Sequence, residues 1–401
     1  MSYFIDAHCH PVLKHYLFGE KYKHSLLTES NGCKDDNFTN RQVTIPAMKK
    51  AGVNAVLAAH YLPEKYILKD WKIAKDLISY LRIFIKRYIE KVESDDAYKQ
   101  TLQMISDFEN YIRLHPKDAV IAHSFMELKQ FINEERRIFI HVLEGAHHLG
   151  RGKSIETYLK RIDELKNCGV ALLTISHFFP NTISYPCEGI SPVTKRALKV
   201  SYKLKESVSL KTIGIAVVNG MLDKGILLDL THTNPTARAQ IFALNRARGK
   251  EMMRPLIFSH VGVRHLFHDP DKKNKRFGNL CATDEEIMEI NHCNGVIGIV
   301  FMNYWLTGID ERPGKKDESG FDFIVATIDH IRVVTNTFDN ICIGTDFDGL
   351  NDPPDDYYDT AMLGKFRDRV VKENAIKGAS SKDIENIFGG NILRVLEKGW
   401  T

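Results

Sequence analysis

His8 and His10, one residue apart at the end of the first apolar run, are the first residues whose types and spacing suggest chemistry. The run 2–5 (Ser-Tyr-Phe-Ile) reads as a short buried strand, being apolar and aromatic and followed closely by Pro11. Side chains alternate along a strand, so His8 and His10 share one side and Cys9 takes the other. Two imidazoles about 6–7 Å apart on one face can reach a single cation, and imidazole is a good zinc ligand. A pair of this kind is equally an ordinary strand end. A catalytic zinc needs further donors from elsewhere in the chain.

Such donors recur at the ends of later apolar runs. Leu143-Glu144-Gly145-Ala146-His147 follows one and Ser176-His177 the next. Then come Asp229-Leu230-Thr231-His232, Phe258-Ser259-His260 and Gly344-Thr345-Asp346-Phe347-Asp348-Gly349. Each has a plainer reading: a lone histidine as a hydrogen-bonded rim residue, Glu144 paired with Arg137 or Lys153, Asp346 and Asp348 as turn caps. Together they are histidines and carboxylates at one end of consecutive strands, and buried charges need partners or a metal.

The elements that must position these residues are eight short apolar runs: 3–5, 54–59, 137–143, 170–176, 226–230, 255–259, 296–301 and 341–344. Near-continuous apolar strands alternating with helical pattern suit a parallel sheet buried on both faces. Eight such units predict a (β/α)8 TIM-like barrel, with its site at the C-terminal strand ends. An open doubly wound sheet is the alternative, but no Gly-x-Gly-x-x-Gly turn follows the first strand. After strand two, Ile67, Trp71, Ala74, Ile78, Leu81, Ile85, Tyr88 and Val92 recur at steps of three and four, and a second helix runs from about Asp96 to Leu114. This helical insertion, about 64–115, would cover the rim, form a homodimer interface or simply enlarge a barrel helix. A further helix is expected over 193–223, and loops over 310–320 and 351–356. No repeat or linker divides the chain, so 1–401 is expected to be one domain.

Composition narrows the function classes. The net charge is +4, from 55 basic and 51 acidic residues, and the basic ones are scattered or sit in loops such as Lys272-Lys273-Asn274-Lys275-Arg276. A nucleic-acid partner is not expected. No apolar run approaches the ~20 residues needed to cross a bilayer, and the barrel pattern begins at Tyr3, leaving no room for a signal peptide. The seven cysteines, without a Cys-x-x-Cys pair, read as small buried thiols in a reducing compartment. A cytoplasmic protein acting on a small molecule is the expectation.

The motif set resembles the membrane (renal) dipeptidase family, peptidase family M19, of the amidohydrolase superfamily. It runs from Asp6-Ala7-His8-Cys9-His10 through the strand-end motifs to Ile387-Phe388-Gly389-Gly390-Asn391-Ile392-Leu393-Arg394-Val395, in the family's order. The resemblance implies a TIM-like barrel with two zinc ions. One would be held by His8 and His10 and the other by His232 and His260, with Glu144 bridging them. Asp346 would be the acid/base, and His177 would face the scissile carbonyl. Two departures stand out. The family carries His-x-Asp on its first strand, where this chain has His-x-His. It also carries an arginine directly before an Asn-Leu or Asn-Val pair, where this chain has Gly278 before Asn279-Leu280. Arg264 and Arg276 are then the candidates to bind a substrate carboxylate.

The chemistry implied is hydrolysis of a dipeptide amide by a metal-bridging hydroxide, with Asp346 shuttling the proton to the departing amine. Asp6, Asp229 and Asp348 are candidates to accept imidazole N–H bonds behind the ligands. The alternatives are a related amidohydrolase acting on an N-acyl amino acid, a cyclic amide or an ester, and a non-catalytic barrel that binds a metal or ligand. Phosphate chemistry is disfavoured because no phosphate-cradling Gly-rich loop is present.

Overall fold

The computed structural model describes residues 3–18, 25–32, 40–62, 64, 96–189, 207–267, 277–307, 320–349 and 353–401. Its strands, all parallel, are β1 (Ile5–Cys9), β2 (Ala55–His60), β3 (Ala119–Ala122), β4 (Arg137–Leu143), β5 (Leu172–Thr174), β6 (Leu227–Asp229), β7 (Leu256–Val261), β8 (Val296–Ile299) and β9 (Ile341–Ile343). Eight of them close a barrel in the order β1-β2-β4-β5-β6-β7-β8-β9, with β9 pairing back onto β1. The expected TIM-like barrel is therefore the architecture observed.

Two local expectations need correction. The strand β3 was not foreseen. Its run Ala119-Val120-Ile121-Ala122 has only four residues and begins and ends in alanine, a weak β-former. It stands outside the closed ring: β2 pairs with β4 over 138–143, and the opposite edge of β4 is shared by β3 at 137–140 and β5 at 142–143. The first strand also lies further along the chain than 3–5, so Asp6 and His8 sit on β1 itself. Register with β2 slips between Asp6 and Cys9, an irregularity of the kind that re-aims side chains beside a site.

The strands bury both faces, as their apolar runs require. Ile5, Ala55, Ile140, Val142, Leu227, Ile257 and Val296 form one buried cluster, joined by Ile392, Val395 and Trp400 from the C-terminal helix Asn391–Gly399 and the residue after it. Phe4, Phe139, Phe258, Ile297 and Ile341 belong to the larger cluster on the other face, with the surrounding helices. At roughly 25 cal/mol per Å² of apolar surface, these two buried layers are the main force holding the strand ends in place.

Of the expected helical insertion, 65–95 lies outside the described residues. The second helix is Ala97–Arg113, started by the Asp96 side chain accepting from the Tyr98 amide. Met104, Ile105 and Phe108 pack it into the outer core, and the Thr101 hydroxyl meets His148 Nδ1 at 2.8 Å. His148 belongs to the 3₁₀ turn Ala146–Leu149, just after Glu144, so this helix braces the wall of the site. The helix expected over 193–223 is observed as Thr212–Lys224, with 190–206 outside the described residues. The loop stretches 308–319 and 350–352 also lie outside them. Among the described residues, no helix is long and apolar enough to cross a membrane.

Candidate metal centre

The strand ends bring the predicted donors to one buried point. Around the Glu144 carboxylate, Oε1 lies 3.4 Å from His8 Nε2, 3.4 Å from His232 Nε2 and 3.6 Å from His260 Nε2. Its other oxygen lies 3.4 Å from His10 Nε2 and 3.5 Å from His177 Nε2. The rings also meet in pairs, His8 with His10 at 3.2 Å and His232 with His260 at 3.1 Å between Nε2 atoms. Asp346 Oδ1 stands 3.2 Å from His10 Nε2 and 3.9 Å from His8 Nε2. Side-chain exposure of Glu144, His8, His10, His232 and His260 is 3% or less, whereas Asp346 keeps 11%. Asp346 is the less deeply covered of the two carboxylates.

The backbone is bent to make this convergence. His232, Asp346 and Asp348 adopt positive φ of 63°, 61° and 63°, a left-handed conformation that side-chain-bearing residues rarely take and that costs on the order of 1 kcal/mol each. Fixed partners hold it. Asp348 accepts Lys14 Nζ at 2.7 Å and the Gln42 and Val43 amides at 3.0 and 2.9 Å. Asp6 accepts the Thr345 amide and hydroxyl at 3.0 and 2.6 Å, tying β1 to the loop that carries Asp346.

The expectation that Asp6, Asp229 and Asp348 directly accept imidazole N–H bonds is not met. All three are satisfied by backbone amides, hydroxyls or Lys14. Asp229 reaches a ring at one remove: the Ser259 hydroxyl lies 2.9 Å from His260 Nδ1 and donates to Asp229 Oδ2 at 2.7 Å. A hydroxyl, not a carboxylate, touches the ring. Aspartate two residues before a histidine is an easy pattern to read, but its side chain is aimed along the strand pair and not at the ring.

Electrostatics drives individual rings in opposite directions. Burial pushes His260 well below the ordinary range, reinforced by His8 and His232 beside it. Burial likewise takes His177 down to about 3, against the attraction of Glu144. His8 goes the other way: its burial is outweighed by the hydrogen bond and charge of Glu144 and by Asp346. Burial alone would raise Glu144, yet the His177 and His10 charges and the hydrogen bonds of His232 and His8 hold it well below the usual carboxylate range. A neutral imidazole beside an ionised carboxylate, as at His260 and Glu144, gives the protonation states that a metal requires.

The donor set fits divalent cations. Bonds of about 2.0–2.1 Å in tetrahedral geometry place donor atoms about 3.3 Å apart, close to the 3.1–3.6 Å observed here. The Nδ1 atoms of His8, His10 and His232 lack hydrogen-bond partners among the described residues, so the Nε2 side is where each ring is engaged. Two ligand groups meet at Glu144, one of His8, His10, Glu144 and Asp346, the other of Glu144, His177 and His232. His260 joins through its contact with His232.

Four neighbours of the site escaped the sequence reading. Glu64 is buried, accepts the Phe178 and Phe179 amides at 3.3 and 3.0 Å, and lies 3.4 Å from His177 Nδ1. Trp305 stacks on His260, ring planes 6° apart. Ser259 and Lys14 act as described above. Glu64 and Trp305 lie outside the strand-end motifs, and no local spacing signals them. Of the two arginine candidates, Arg276 lies outside the described residues. Arg264 is half-buried, and a Cβ on residue 278 would fall 0.8 Å from its Nη1. Its guanidinium therefore fills the space that a side chain at Gly278 would need, and Nη1 is buried with no hydrogen-bond partner among the described residues.

Comparison with known proteins agrees with this architecture. The sequence profile of the membrane dipeptidase family, peptidase family M19, matches residues 2–399. An uncharacterized dipeptidase of Schizosaccharomyces pombe is 25% identical over 301 residues, 75% of this chain and 62% of that protein. A dipeptidase of Aspergillus terreus is 24% identical over 76% of this chain and 69% of its own. The chain thus spans about three-fifths to two-thirds of the length of these relatives. Among solved structures, a metallopeptidase from Rhodobacter sphaeroides, liganded with a phosphinate mimic of the dipeptide L-Ala-D-Ala, superposes with a TM-score of 0.72 at 16% identity, covering 100% of this chain and 99% of that one. The family M19 dipeptidase AC gives 0.71 at 15% identity, covering 100% and 99%. A closed parallel barrel with its histidines and Glu144 gathered at the mouth, matched almost end to end by the family profile, leads to one assignment: the chain belongs to the membrane dipeptidase family, peptidase family M19.

Proposed function

We propose that this chain is a zinc-dependent dipeptidase. The observation that carries the reading is the single buried carboxylate, Glu144, with five imidazole Nε2 atoms within 3.6 Å of it. In this reading His8 and His10 hold one zinc, His232 and His260 the other, and Glu144 lies between them. The two ions would supply Lewis acidity and a water acidified to a pKa near about 7.

The chain's own groups do the rest. Asp346, the partly open carboxylate, takes the water's proton and returns it to the departing amine nitrogen, acting first as base and then as acid. His177 hydrogen-bonds the scissile carbonyl oxygen through Nε2–H as charge develops there. Glu64, which burial pushes upward, stands 3.4 Å from Nδ1 on the far side of the ring. Arg264 receives the substrate's free carboxylate with the guanidinium lodged beside Gly278. This arrangement accounts for a glycine at the position where the family pattern has arginine. The free cysteines among the described residues support the expected cytoplasmic location.

The test is a hydrolysis panel run on the zinc-loaded chain alongside its metal content. L-Ala-D-Ala and other dipeptides head the panel, with N-acyl amino acids and lactones as the competing arms. Dipeptides should give the highest kcat/KM, with activity lost on chelation and restored by zinc. Faster turnover of acylated amino acids or lactones would replace the dipeptide reading, and a zinc-loaded chain inert on every arm would favour a binding barrel.

A further inference from the structure

A second cluster of histidines and carboxylates lies outside the barrel, between the helix Ala97–Arg113 and the β3–β4 edge. His123 Nε2 is 3.0 Å and His141 Nε2 3.4 Å from the same oxygen, Glu109 Oε1. The three ligand atoms lie within 4.8 Å of one another. These separations again match the roughly 3.3 Å spacing of donors sharing one tetrahedral ion. None of the three residues belongs to the mouth.

The far nitrogens are the second observation. His141 Nδ1 is 2.8 Å from His60 Nε2, and His123 Nδ1 is 3.3 Å from Glu127 Oε2. Each ring is thus pinned from behind by another side chain, and its other nitrogen is turned toward Glu109. That is how ligating histidines are oriented in metal sites, through a neighbour on the nitrogen that does not bind. His141 is fully buried, and its Nε2 has no hydrogen-bond partner among the described residues although it faces the cluster. Gly169 makes room for His123: a Cβ there would sit 2.6 Å from the His123 Cα.

We propose that Glu109, His123 and His141 form a second, structural metal site, separate from the mouth, that takes one zinc ion with water in the remaining position. Glu109 comes from the helix, His123 from the residue after β3, and His141 from β4. One ion there would clip the outer helix and the extra strand onto the barrel wall. It stabilises the folded chain by mass action without entering the reaction. The competing explanation is a proton: a charged His123 imidazolium could bridge Glu109 and Glu127 unaided.

Zinc equivalents per chain, measured after equilibration with zinc and removal of the free ion, decide between them. The full chain should hold one equivalent more than His123→Asn or Glu109→Gln, both at partly exposed positions where folding is least at risk. A Glu144→Gln chain, weakened at the mouth, should keep one equivalent that is lost when His123→Asn is added. Cobalt in that Glu144→Gln chain should give a tetrahedral visible spectrum, abolished by the same change. Equal zinc content in the full chain and both single variants would overturn the site and assign the cluster to a proton. That result leaves the mouth untouched, because the mouth is read separately through activity and Glu144→Gln.

Discussion

Two places in this molecule gather histidines around one carboxylate, and they are built differently. At the mouth, rings from β1, β6, β7 and the segments that follow them surround Glu144, with both oxygens engaged and Glu144 only 3% exposed. On the flank, a helix, a strand end and a strand meet at Glu109, where a single oxygen is engaged and the side chain is 37% exposed. The mouth is bent into shape, with His232 and Asp346 at positive φ. No flank ligand is among the positive-φ residues. Strain of this kind collects where chemistry is done and the surrounding structure enforces it. Among the mouth's rings stands a second carboxylate, Asp346, 3.2 Å from His10 Nε2. On the flank the second carboxylate, Glu127, stands behind His123 at Nδ1 and not within the cluster. The contrast teaches that the same donor types, rings around a carboxylate, can be set in a strained and buried frame or in an unstrained and exposed one.

The contrast can be broken by variants, taken from the largest effect to the smallest. Glu144→Gln removes the shared carboxylate and should cost several kcal/mol of transition-state stabilisation, on the order of 10³-fold or more in kcat, together with mouth zinc. Metal analysis and a dipeptide rate on the same sample check both. Asp346→Asn should keep the mouth zinc but lose about 10²–10⁴ in kcat, the worth of general acid–base catalysis; near-normal turnover with full metal would remove Asp346 from its role. His177→Asn should lose about 10²–10³ in kcat, the cost of one oxyanion donor, with little change in zinc content. Arg264→Ala should raise KM for dipeptides about 10–100-fold, from roughly 1.5–3 kcal/mol for a charge-assisted hydrogen bond, and leave kcat nearly unchanged. The same change should spare substrates without a free carboxylate. His123→Asn, on the flank, should leave dipeptide kcat within about twofold, since the cluster lies away from the reacting groups.

Much of the mouth was legible before any coordinates. Barrel sites sit at the C-terminal strand ends, so once the apolar runs are recognised as strands, the histidines and carboxylates that close them are assigned to one face. His8, His10, Glu144, His177, His232, His260 and Asp346 were all found in this way. The residues missed are those whose partners come from distant segments. Glu64 reaches His177 from more than 100 positions away, and Trp305 stacks on His260 from the segment after β8. The aspartates were read as accepting imidazole N–H bonds and do not, because hydrogen-bond direction depends on register and bulges that spacing does not encode. The flank cluster was invisible for a related reason. β3 was too short to be recognised as a strand, and without it His123 has no reason to approach His141 or Glu109.

The most direct measurement is an anomalous difference map at the zinc edge from crystals of the zinc-loaded chain. Two peaks should flank the Glu144 carboxylate, one beside His8 and His10 and one beside His232 and His260. A map with no peak in contact with Glu144 would contradict the account.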